Sequence, residues 1–160
     1  VFQQYNLLTQ RHQQAGYCHY EISNYALNGQ HSQHNSSYWN RVPYFGFGPA
    51  ACSYFNEKRI SNTYDIRRYI EAQKNQSLYY ETELLTNDDV FNEIIMLKLR
   101  TKEGVNLSSI SQLDKKYTAH FLKNVKTFIN DGSVLHIDDN YRINEKSWFS
   151  SNYIISRLFV

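Results

Sequence analysis

Cysteine is scarce. Cys18 and Cys52 are the only two, 34 positions apart, so neither a disulfide framework nor a CxxC metal site can be built, and both are expected as free thiols. An excess of charge of one sign is also missing. Seventeen basic against fifteen acidic residues leave a formal net charge of +2, which supplies no electrostatic argument for nucleic acid or an anionic membrane surface. No apolar run approaches the roughly 20 residues of a membrane span, and nothing over residues 1–16 reads as a signal peptide. A cytoplasmic protein is expected.

What is present is a globular composition. Of 160 residues, 41% are hydrophobic and 16% aromatic, enough to bury one good core or two small ones. Phe2, Tyr5 and Leu8 share a helical face, giving a first helix to about Ala15, and residues 17–22 alternate as a strand, with Cys18, Tyr20 and Ile22 on one side and Tyr17, His19 and Glu21 on the other. A hairpin is expected over residues 51–55 and 58–62, turned at Asn56-Glu57, then a helix capped by Thr63 and a polar link ending at Ser77. The domain boundary is expected there. Thr86-Asn-Asp-Asp89 opens a largely buried helix as a variant capping box, followed by helices over residues 107–113 and 118–130. A second hairpin turns around Asp138-Asp-Asn140, and a last helix is expected over about residues 145–158.

The chemistry-bearing stretch lies early. Tyr20-Glu-Ile-Ser-Asn-Tyr-Ala26 is followed by a polar loop, then by His34-Asn35-Ser36-Ser37-Tyr38-Trp39, then by Tyr44-Phe-Gly-Phe-Gly-Pro-Ala-Ala-Cys-Ser53. A histidine on an irregular surface loop can be aimed at a ligand, and Tyr38 and Trp39 bring flat apolar faces near its metal-binding nitrogen, which suits a planar macrocycle with iron at its centre. Asn35 is placed to shape the local turn. The competing reading has His34 solvated and the two rings packed on the domain beneath. Gly46 and Gly48 likewise serve either a cofactor or only a tight turn.

These blocks in this order, with Arg59-x-x-Asn62 after them, closely resemble the heme chaperone HemW family, relatives of oxygen-independent coproporphyrinogen III oxidase (HemN). Met96-Leu-Lys-Leu-Arg100 and Glu103-Gly-Val105 resemble elements of the HemN carboxy-terminal domain. The resemblance implies heme binding through His34 as the metal ligand, with Asn35, Tyr38 and Trp39 completing the motif. It also implies that Gly46, Gly48 and Cys52 lie near an S-adenosylmethionine site. Delivery of heme to respiratory membrane enzymes is a further implication. The implied fold is α+β: residues 1–77 are the terminal strands and helices of a radical-SAM partial (β/α) barrel, and residues 78–160 a winged-helix-like domain. The family's Cys-x-x-x-Cys-x-x-Cys motif for an iron–sulfur cluster is absent here, and the chain opens without methionine. It therefore reads as the carboxy-terminal portion of a longer protein, inactive as an enzyme by itself.

Three other readings compete. One is a fragment of a coproporphyrinogen III oxidase, a radical-SAM oxidative decarboxylase of porphyrin biosynthesis, against which the Tyr-Trp ending of the histidine motif argues. Another is a DNA-reading winged helix, but the third helix of the second domain offers few outward cations and Asp138 and Asp139 sit at the wing tip, so no nucleic-acid partner is expected. The last is a simple metal site from His19, His31, His34 and Cys52. Unpaired barrel edges near residues 17–22 and 51–62 point to a homodimer.

Overall fold

Helix α1, Phe2–Gln14, and strand β1, Cys18–Glu21, form where the apolar spacing predicts them. The computed structural model describes residues Val1 to Val160, a mixed α+β structure in two compact units. One joins Val1–Arg41 to Phe91–Val160; the other is Val42–Val90.

In the first unit β1 pairs antiparallel with β2, Asn24–Ala26, a strand that the sequence pattern did not reveal. The chain reverses because Glu21 collects the donors of the turn: Ser23 N–H donates to its carboxylate at 3.1 Å, and the Asn24 side-chain amide donates to the other oxygen. The expected alternation of β1 fails, since His19, Tyr20 and Glu21 are all buried. The cause is packing on both faces together with a backbone neighbour. Ile22 N–H donates to Arg100 O at 2.9 Å and Lys102 N–H to Tyr20 O at 3.0 Å, so β1 lies beside the segment Arg100-Thr101-Lys102. His19 stacks on Tyr25 (4.0 Å between centroids, 12°) and meets Trp148 edge-on.

Apolar periodicity marks two of the remaining helices, residues 87–98 and 115–130, but not every one. Helix α2 is Gln33–Trp39, α3 is Ile66–Asn75 in the other unit, and α4 is Asn87–Lys98. Phe91, Ile95 and Leu99 are fully buried. Strand β6, Val105–Asn106, leads into α5, Leu107–Ser111. Helix α6, Lys115–Asn130, starts three residues before the expected Thr118 because Asp114 caps it, accepting from Lys116 N–H at 2.8 Å. Strands β7, Val134–Ile137, and β8, Asn140–Ile143, make the second hairpin, with β6 on the far side of β8. The expected last helix is broken into a 3-10 turn, Glu145–Ser150, and α7, Ser151–Ser156. Trp148 decides this: its buried Nε1–H donates to Ile143 O at 3.1 Å, tying the turn to the end of β8.

In the second unit β3, Cys52–Phe55, and β4, Lys58–Asn62, form the expected hairpin, with Asn56 and Glu57 both at positive φ (51° and 54°) as a two-residue turn of this twist requires. One expectation is corrected and one element is added. The cap of α3 is Asp65, which accepts from Arg68 N–H at 3.0 Å, while Thr63 Oγ1 accepts from Asp65 N–H instead. Beyond the polar link, where the sequence pattern marked no element, lies a strand, β5, Tyr80–Leu84, paired along its length with β4. The Thr86–Asp89 capping box forms in both directions, at 2.9 Å and 3.2 Å, and the Thr86 hydroxyl (2.6 Å) together with the Thr86 N–H, both donating to the Asp89 carboxylate, hold that carboxyl below its usual range.

Neither strand edge expected to be open is open. β1 is flanked by β2 and by the Arg100–Lys102 backbone, and β3 is bridged on its outer side by Tyr44. The free edge of the second unit belongs to β5.

Phe121→Ala, which removes a fully buried ring, is expected to lower unfolding free energy by roughly 3–5 kcal/mol, whereas Leu122→Ala, at a side chain 39% exposed, should cost far less; urea midpoints of the two variants check this. Burial pushes the His19 imidazole below its usual pKa. The unfolded chain therefore binds the proton more readily, and stability is lost as pH falls below about 6.5. A urea midpoint followed from pH 7.5 to 5.5 should fall, with a shallower slope in His19→Gln.

Candidate functional site

The histidine motif is a helix. Ser32 caps α2, its Oγ accepting from Asn35 N–H at 3.2 Å, so Asn35 enters the structure through its backbone, and the histidine expected on an irregular loop stands in the first turn. His34 and Tyr38, four residues apart, lie on one helical face with their rings edge-to-face at 4.9 Å and 85°. Both are exposed. Trp39 is about 140° farther round the helix from His34, and its indole is turned inward.

The inward face is anchored by α4. Arg41 Nε donates to the Glu93 carboxylate at 2.9 Å, both side chains mostly buried, and Lys98 Nζ donates to Asn40 Oδ1 at 2.6 Å. Between α2 and this helix lies a pocket of about 280 Å³, lined by Tyr20, His31, Ser36, Trp39, Asn40, Lys98, Thr101 and Glu103. His31 lies flat on Tyr20, with centroids 4.3 Å apart and planes at 9°. Burial pushes the Lys98 ammonium below its usual pKa, opposed by the Glu103 charge.

The structure brings His34 and Tyr38 together and aims Trp39 elsewhere. Trp39 Nε1–H is buried without an acceptor. No group of three His, Cys, Asp or Glu side chains is arranged to hold a metal ion, so the competing four-ligand site from His19, His31, His34 and Cys52 has no structural basis; His19 is spent in the Tyr25–Trp148 stack.

The glycine turn is shaped by its own backbone. A Cβ at Gly46 would collide with the Cys52 carbonyl, Gly48 takes φ 101°, Gly46 N–H donates to Ser53 Oγ at 2.9 Å, and the Asn62 amide donates to Gly48 O at 2.9 Å. Cys52 is exposed, with its sulfur 3.6 Å from Ser61 Oγ. Ser53 and Asn62 are thus what hold the turn; both stood in the stretches that carry the resemblance, but neither was singled out as a site residue. Lys98 gives no signal in the sequence because it stands among the apolar residues of a helix, where a lysine carries no sign of its purpose.

Comparison with known proteins places the chain in a family. Residues 85–149 match the HemN C-terminal domain. The chain is 31% identical over 134 residues to the heme chaperone HemW of Lactococcus lactis, covering 78% of this chain and 34% of that protein. It is 33% identical over 118 residues to HemW of Synechocystis, covering 72% and 29%. Its fold is similar to that of coproporphyrinogen III oxidase (HemN) from Escherichia coli, a radical SAM enzyme, with a TM-score of 0.72 at 17% identity over 97% of this chain and 40% of that one. The chain spans about a third of the length of the curated relatives it matches. It belongs to the HemW and HemN-related family and corresponds to the carboxy-terminal portion of its members.

Proposed function

We propose that this chain is the heme-binding carboxy-terminal part of a HemW-like heme chaperone, and that His34 is the iron ligand. The observation that carries the reading is the exposed imidazole of His34, held edge-on to Tyr38 on one face of a capped helix. An accessible nitrogen beside an aromatic ring is the donor set that a planar iron macrocycle needs from one side. Tyr38 supplies apolar contact there; Trp39 acts from the opposite face, by fixing α2 rather than by stacking on the ligand.

The longer protein would hold an iron–sulfur cluster and S-adenosylmethionine, near Gly46, Gly48 and Cys52, and would deliver heme to respiratory membrane enzymes from the cytoplasm. Two thiols in different units do not make a three-cysteine cluster site, so the residues of this chain do not fit the cluster by themselves. On this reading residues 1–77 would be the end of a radical-SAM barrel and 78–160 a winged-helix-like domain, a reading supported by the order of α4, α5 and α6 before the β7–β8 hairpin. The similarity of fold to HemN favours a second reading, the corresponding piece of a coproporphyrinogen III oxidase. On that reading the fragment binds porphyrinogen and gains no iron ligand at His34.

Hemin added to the chain should give a Soret band that His34→Ala abolishes or shifts strongly. His136→Ala, at an exposed histidine stacked on Tyr141, should leave the band unchanged, and Tyr38→Ala should weaken binding by several-fold without removing it. Identical spectra for wild type and His34→Ala would sink the assignment. Self-association is expected through the free edge of β5. A concentration series by light scattering should show dimer growing with concentration, and Thr82→Pro, on that edge, should reduce it.

A further inference from the structure

The face of α2 turned away from His34 has its own unsatisfied chemistry. Lys98 is half-buried, and its one direct partner is the neutral Asn40 amide oxygen; no carboxylate lies within ion-pair distance. Trp39 Nε1–H, on the same wall, is buried and unpaired. Buried donors in folded proteins are normally satisfied, so the unpaired Trp39 indole beside a lysine whose only partner is neutral marks a place that an anionic acceptor would complete. Ser36 and the flat His31–Tyr20 pair also line the pocket.

We propose that this pocket binds a small aromatic monocarboxylate, the carboxylate bridging Lys98 Nζ and Trp39 Nε1 and the ring lying against His31 and Tyr20. Charge selects the valence. Lys98 is the one lysine or arginine lining the pocket and Glu103 stays exposed at its edge, so a single carboxylate matches the lysine, whereas a dianion such as phosphate would leave a second negative charge uncompensated beside Glu103. Size selects the class, because about 280 Å³ is below the usual range for drug-sized ligands. The indole turns slightly to present its N–H. Since the pocket faces away from His34, the proposal is independent of heme ligation.

The two tryptophans make the test internal. In the ¹⁵N-labelled chain, the indole signal of Trp39 should move saturably as benzoate is added, while that of Trp148, already bonded to Ile143 O, stays in place and reports that the fold is intact. Lys98→Met should weaken the response by about tenfold or more, as loss of a charge-assisted hydrogen bond does. A Trp39 signal that does not move, that moves equally in Lys98→Met, or that responds as strongly to inorganic phosphate or chloride overturns the proposal.

Discussion

The pairing of β1 with Arg100-Thr101-Lys102 is the constraint on which the first unit depends. Two backbone hydrogen bonds, 2.9 and 3.0 Å, join segments about eighty positions apart in the chain, and around them Glu21 is sealed from solvent with its oxygens taken by Ser23 and Asn24. Residues so remote meet only after a long loop has closed, at an entropic cost that burial of Tyr20, Leu99 and Trp148 must offset. Once they meet, Tyr20 is fixed as the floor under His31, and Lys98, Thr101 and Glu103 arrive beside Trp39.

This pairing gives the histidine motif two faces with different work. Capping by Ser32 makes α2 a helix, and helical geometry then sends positions four apart to one side and positions five apart to different sides. His34 and Tyr38 therefore share an exposed face where an imidazole can meet a metal, while Trp39 and Asn40 meet α4. The ion pair between Arg41 and Glu93 is mostly buried, and losing one partner would leave a charge without compensation, so it acts mainly to hold the end of α2 in place. A short helix with one face anchored presents its other face at a fixed angle.

In the second unit the glycines answer to the backbone around them. The close approach of Gly46 to Cys52 and the positive φ of Gly48 would be required whether or not a cofactor lay near, and Asn62 closes the loop by donating to Gly48 O. The motif residues Gly46, Gly48 and Asn62 are thus explained first by turn geometry.

Local rules were enough for much of this chain. Apolar periodicity marked α1, α4 and α6, the Thr86–Asp89 box marked a helix start, and Asn56-Glu57 marked a hairpin, because each depends on neighbours within a few residues. The order of motifs was also legible in the sequence, and with it the family. Strands β2, β5 and β6 were not, since short polar strands such as Tyr80–Leu84 exist only through the partner that takes their hydrogen bonds. The break before α7 was hidden for the same reason: Trp148 looked like one more apolar helix position until Ile143 O claimed its N–H. Tertiary structure alone decided that His34 faces outward and Trp39 inward, and that Lys98 lies beside a buried indole, because the burial of a side chain depends on residues far away in sequence.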